Sequence, residues 1–219
     1  MTAATTEIAI LLFDGITALD AVGPYEVLQR LPGARVRMLG ARRGPVRTHE
    51  GSLSLVVDFE LADCPHPQLL LVPGGFGVDR LLRDEATLAW IRGAHASSQW
   101  TTSVCTGSLL LGAAGVLRGL RATSHWNSLE RLREYGAEPT LERVVFQGKV
   151  VTAAGVSSGI DMALALVARL ADAEIAQAIQ LSIEYDPQPP FDAGSPSKAP
   201  PRIVEIVRRA QARVRAAQA

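Results

Sequence analysis

Cys105 lies in the stretch Trp100-Thr-Thr-Ser-Val-Cys-Thr-Gly-Ser-Leu-Leu-Leu-Gly-Ala-Ala-Gly115. The β-branched run before it predicts a buried strand, the small residues from Ser108 onward predict a helix, and Cys105-Thr106-Gly107 forms the sharp turn between them. Strand, tight turn and helix start make a nucleophile elbow, which lifts one side chain above the sheet edge. The first helical turn aims unpaired backbone N–H groups and a partial positive charge at that side chain, so the thiol is expected to ionise more readily than a free one and to act as a nucleophile. A buried structural thiol is the bland alternative. Cys64, in Ala62-Asp-Cys-Pro-His66, has no such setting and is read that way.

A thiol nucleophile needs a proton partner and a place for developing charge. Asp20 sits just past the carboxyl end of the first apolar strand, in a loop that a doubly wound sheet can bring to the elbow. Beside a thiolate its carboxyl pKa would rise and one proton would be shared, making Asp20 an acid first and a base later. An ordinary cap or surface carboxylate is an equal reading of the residue alone. Gly75, ending its strand, and Thr106, following the nucleophile, are placed as the two backbone N–H donors of an oxyanion hole. The Thr106 hydroxyl suits either contact with substrate or Asp20, or a helix-capping bond. His125, next to Trp126 at a helix start, ranks below Asp20 as a supporting residue and reads first as a structural hydrogen-bonding histidine. His49, His66 and His95 share no ligand spacing, so no metal site is expected.

The elements around these residues alternate. Glu7–Phe13 reads as a buried strand, Thr17–Arg30 as a helix that Pro24 interrupts or restarts, and Arg35–Leu39 as a second strand. A hairpin or two short edge strands over Val46–Asp58, a strand at Gln68–Val72 and a helix capped by Asp84 lead to the elbow. Beyond it come a helix at Asn127–Tyr135, strands near Arg143–Phe146 and Lys149–Ala153, a core helix opening on a Ser157 cap, and a helix at Asp172–Ile183. This pattern predicts an α/β fold: a doubly wound, mostly parallel sheet with helices on both faces and the site at the carboxyl ends of the strands. The domain is expected over residues 1–184. Residues 185–219 form a tail: six prolines fall between Tyr185 and Pro201, implying an extended arm, and an amphipathic helix follows, packed on the same domain or on a dimer partner.

Lysine plus arginine equal aspartate plus glutamate at 22 each, which leaves no overall field for nucleic acid and suits a neutral small molecule. Two cysteines make no disulfide framework, and the opening Met-Thr-Ala-Ala-Thr-Thr-Glu has no basic or apolar leader pattern, so a reducing cytoplasm is expected. No apolar run reaches the ~18 residues of a membrane span.

On Leu19-Asp20 with Gly23-Pro24, Pro73-Gly-Gly75, Val104-Cys-Thr-Gly-Ser-Leu109, Leu111-Gly-Ala-Ala-Gly115, His125-Trp126, Gly159-Ile-Asp161 and Pro189-Pro-Phe-Asp-Ala-Gly-Ser-Pro196, almost the whole chain resembles the ThiJ/PfpI family. These are flavodoxin-like relatives of class I glutaminases, and within them the chain is most similar to the branch that hydrates isonitriles. Asp20 stands where many members carry glutamate, and Thr106 where peptidase-like members carry histidine. The resemblance implies an isonitrile as small-molecule substrate, a covalent thioimidate on Cys105, Asp20 as proton donor and then base, no cofactor, and a homodimer. Two rivals follow from the same family. One is a ligand-sensing domain of the kind fused to AraC-type regulators, whose pair of helix-turn-helix motifs has no counterpart in the 18 residues after Pro201. The other is a stress-type member with glyoxalase or chaperone activity and a redox-sensing cysteine.

Overall fold

The computed structural model describes residues 5–218; residues 1–4, part of the opening from which the lack of a leader is expected, lie outside them. The first apolar run is β1 (Thr6–Leu11), followed by α1 (Ala18–Leu28), β2 (Ala34–Gly40), a hairpin of β3 (Gly44–Arg47) and β4 (Ser54–Val57), and a short β5 (Phe59–Glu60). Next come β6 (Leu69–Val72), α2 (Val78–Leu81), α3 (Glu85–Ser97), β7 (Trp100–Val104) and α4 (Gly107–Ala113). The remaining elements of this part are β8 (Arg121–Ala122), β9 (Glu138–Pro139), β10 (Val144–Gln147), β11 (Val150–Ala153), α5 (Ser158–Leu170) and α6 (Ala173–Ser182). Seven strands form one sheet in the order β10-β11-β7-β6-β1-β2-β5, every neighbouring pair parallel except the antiparallel edge pair β10–β11.

The central strands are apolar on both faces because both faces are covered. All four residues of β6 are buried, as are Ile8 to Leu11 of β1. Helices α1, α5 and α6 pack in sequence as one layer, and α2, α3 and α4 contact one another as a second. Each fully buried leucine or isoleucine contributes about 1.5–3 kcal/mol, so this sheet is a stiff floor for the loops at its carboxyl edge.

Three local expectations need correction. Pro24 neither interrupts nor restarts α1; it sits buried inside a continuous helix, its ring against Gly159 of α5. Ser157 occupies the cap position of α5 without a capping bond, and its hydroxyl instead accepts from Arg143 Nη2 at 3.3 Å. The helix expected at Asn127–Tyr135 is a run of 3₁₀ turns over Trp126–Tyr135, which fits Trp126, Leu129, Leu132 and Tyr135 recurring every third residue. The described chain divides into two compact units between Ile183 and Glu184. In the second unit an irregular segment, with a Lys198–Asp192 ion pair at 2.8 Å, precedes α7 (Pro201–Gln218), which carries a Glu205–Arg209 pair. Among the described residues no helix is long and apolar enough to cross a membrane.

Candidate active site

The elbow is built by strain and by the bonds that hold it. Cys105 has φ 58°, a left-handed conformation that costs a non-glycine residue roughly 1–2 kcal/mol. Its N–H donates to the carbonyls of Ala153 (3.1 Å) and Ala154 (3.0 Å), at the end of β11. Its carbonyl accepts from the hydroxyls of Ser108 and Ser124, each at 3.1 Å. Both peptide groups of the nucleophile are therefore clamped. Gly107, next in the turn, lies so close to β6 that a side chain there would collide with the Val72 carbonyl. Ser124 was overshadowed in the sequence by its neighbour His125, yet it is Ser124 that bonds to the elbow.

Asp20 is brought to Cys105 by zippered loops. Thr17 N–H donates to Gly74 O at 3.0 Å, Gly77 N–H to Gly15 O at 3.0 Å, and Ile16 bridges both Thr48 and Gly75. This fixes the start of α1 against the loop after β6. The Asp20 side chain is wholly buried; Oδ2 accepts the Gly74 N–H at 3.0 Å, while Oδ1 has no hydrogen-bond partner. Burial raises its pKa to about 7, against the opposing pull of the Gly74 N–H and the Cys105 thiol. The direction matches expectation, but the leading cause is desolvation rather than competition with a thiolate.

The thiol itself departs from expectation. Burial pushes Cys105 well above the usual cysteine range, the neighbouring Asp20 charge adds to that, and the Thr106 N–H and hydroxyl oppose it. The donors at the helix start act to lower the thiol pKa, but removal from water outweighs them.

Thr106 and Gly75 are joined by their own bonds. Gly75 N–H donates to Thr106 Oγ1 at 2.9 Å, and the Thr106 hydroxyl reaches Gly75 O at 3.2 Å. The Thr106 side chain makes no capping bond on α4. The Gly75 N–H is thus already engaged, and its expected oxyanion role requires exchanging that bond. Gly74, which the sequence marks only as one glycine of the Pro73-Gly-Gly75 stretch, is closely confined: a Cβ there would sit 2.5 Å from Thr106 N, 2.6 Å from Thr106 Oγ1 and 2.9 Å from Asp20 Oδ2. Only a bare backbone fits between the acid and the elbow. At His125, Nδ1 accepts the Asn127 N–H at 3.2 Å, capping the 3₁₀ run, and the ring lies tilted on Trp126 at 5.6 Å.

The site therefore pairs a thiol whose pKa burial pushes up with a carboxyl whose own is raised to about 7. Near pH 7 and above, such a coupled pair holds one proton between two atoms. It is suited to nucleophilic addition in which the same proton is delivered to the substrate.

The model for the DJ-1/PfpI family matches residues 6–169. The chain is similar to the isonitrile hydratase of Pseudomonas putida, with 45% identity over 203 residues covering 93% of this chain and 89% of that one. It is 30% identical over 182 residues to a helix-turn-helix transcriptional regulator of Pseudomonas aeruginosa, covering 80% of this chain but 53% of the regulator. The crystal structure of a ThiJ/PfpI family protein from Pseudomonas syringae superposes with a TM-score of 0.93 and 38% identity, over 98% of this chain and 89% of that one.

Proposed function

The chain belongs to the DJ-1/PfpI family, and from that premise we propose that it is an isonitrile hydratase, adding water to R–N≡C to give the N-substituted formamide R–NH–CHO. The observation that carries this reading is the wholly buried Asp20 carboxyl, anchored by the Gly74 N–H and raised to a pKa of about 7, set against Cys105 in its left-handed turn. The terminal carbon of an isonitrile must receive both a nucleophile and a proton, and this pair offers one of each. The Cys105 sulfur forms the S–C bond while its proton passes through Asp20 to the same carbon, leaving R–N=CH–S–Cys105 and a carboxylate. Asp20 then takes a proton from water as the hydroxyl adds to that carbon and passes it to nitrogen; the C–S bond breaks as the adduct's hydroxyl proton returns through Asp20 to the sulfur, restoring the thiol and the carboxylate. The formamide C–H comes from the thiol and its oxygen and N–H from water, whose second proton restores the thiol, so that one water is added per cycle and no external oxidant or reductant takes part. The Thr106 N–H at the sulfur is the nearest backbone donor for charge developing there, and Gly75 N–H joins it if the Thr106 hydroxyl rotates away.

Exposed Leu19 on α1, with Leu53 and Val56 of the hairpin, supports the homodimer that belongs to the same reading; light scattering checks it. The similarity to a transcriptional regulator favours a second reading, a ligand-sensing domain. One assay panel separates the readings: purified protein with an alkyl or aryl isonitrile, with methylglyoxal, and under peroxide titration. Formamide production supports the hydratase. Binding of isonitrile without turnover supports the sensor, and consumption of methylglyoxal alone overturns both.

A further inference from the structure

A recess opens beside the carboxyl ends of β1 and β2, and none of Cys105, Asp20, Thr106 or Gly75 lines it. It is a groove of about 750 Å³, within the range of small-ligand sites. Leu12, Phe13 and Leu81 give it apolar walls. Arg42 and Arg43, from the turn between β2 and β3, and Arg80 of α2 supply three guanidinium groups at its edge, against a single carboxylate, Asp14. In a chain whose charges balance at 22 against 22, this is a local excess of cation.

The guanidiniums are only partly used. Arg43 pairs with Asp63 at 2.9 Å, and Arg80 spends one N–H on the Asp14 carbonyl at 3.0 Å. Arg42 makes no ion pair among the described residues. The Asp14 Oδ1 accepts the Arg47 backbone N–H at 2.8 Å. What remains is unspent fork-shaped donors above an apolar surface. Guanidinium forks match the paired oxygens of a carboxylate or phosphate, and the walls accept a hydrocarbon body.

We propose that this groove is a binding site for a small organic anion, an oxyanion head on an alkyl or aryl body, gripped by Arg42 and Arg80 and separate from the catalytic elbow. The site does not depend on which reaction the elbow performs.

Calorimetric titration of the full chain with hexanoate, hexyl phosphate, 1-hexanol and inorganic phosphate tests it. Either amphipathic anion should saturate one site roughly tenfold more tightly than the alcohol or the inorganic ion alone, with stronger binding by one anion naming the preferred head. Raising salt from low to high concentration should weaken that binding severalfold. Arg42→Ala/Arg80→Ala should lose about tenfold in affinity, and Cys105→Ala none. Arg42 is exposed, so Arg42→Glu alone gives the same test if the double variant does not fold. Binding that is absent, that survives Arg42→Glu unchanged, that disappears in Cys105→Ala, or that 1-hexanol reproduces overturns the proposal.

Discussion

The two cysteines of this chain share burial and little else. Cys64 and Cys105 are 6% and 5% exposed, and desolvation is the leading cause that raises both thiols. Cys64 has a negative φ of −144°, closes a short 3₁₀ turn, and uses its carbonyl to accept the Trp90 indole N–H at 3.2 Å. The charges that act on its thiol are Glu7 and Arg37, which oppose each other. Cys105 is held in a left-handed conformation by four bonds from three segments, and the charge nearest its sulfur is a buried carboxyl with an unpartnered oxygen. What separates a structural thiol from the proposed nucleophile here is neither exposure nor acidity. It is a buried carboxyl partner, its pKa raised to about 7, held beside the thiol.

The largest effect expected from that contrast is on the nucleophile. Cys105→Ala should cut kcat for isonitrile hydration by about 10⁴-fold or more, because the covalent route is gone. A variant retaining even a tenth of the activity ends the covalent mechanism. Asp20→Asn comes next, at roughly 10²–10⁴-fold, the usual worth of a positioned acid and base. Wild-type kcat/KM should rise as pH climbs through about 7, as the pair reaches its one-proton form, and that limb should be missing in Asp20→Asn. Stability moves the opposite way. The folded-state pKa of Asp20 lies above its unfolded value of 3.8, so between about pH 4 and 7 the native state binds the extra proton and loses stability as pH rises. That loss amounts to up to about 4 kcal/mol by pH 8, and urea unfolding should show it in wild type and not in Asp20→Asn. Equal pH slopes in the two proteins refute a buried Asp20 of raised pKa.

A smaller effect, roughly 10–10²-fold in kcat/KM, is expected of Gly74→Ala, because its methyl would force Asp20, Thr106 or the loop between them aside by a fraction of an ångström. Gly93→Ala in α3, where nothing lies within 4 Å of the new methyl, is the matched control and should stabilise by about 0.5–1 kcal/mol. Gly74 also marks the limit of what the chain discloses unfolded. The elbow is legible in one line because strand, turn and helix are contiguous and their residue types differ sharply. Asp20 is visible as a residue in the right loop, but its burial depends on β6, β7 and α1 closing over it, contacts 54 and more residues apart. The elevated thiol pKa and the Gly75–Thr106 bonds have no local signal at all, since both arise from how tightly two distant loops meet. The Trp126–Leu129–Leu132–Tyr135 spacing did carry the 3₁₀ period, and only its resemblance to one face of an α-helix hides it.

The smallest effect sharpens the comparison most. Cys64→Ala removes a buried sulfur that makes no side-chain hydrogen bond in the structure, and should cost about 1 kcal/mol in unfolding free energy. Activity should stay within about twofold of wild type, because no group of the Asp20–Cys105 pair depends on this position. Chemical denaturation and steady-state kinetics on one preparation read both quantities. If burial alone made a thiol functional in this fold, the two cysteines would fail alike; a Cys64→Ala protein that loses stability and keeps its rate assigns the difference to Asp20 and to the clamped turn.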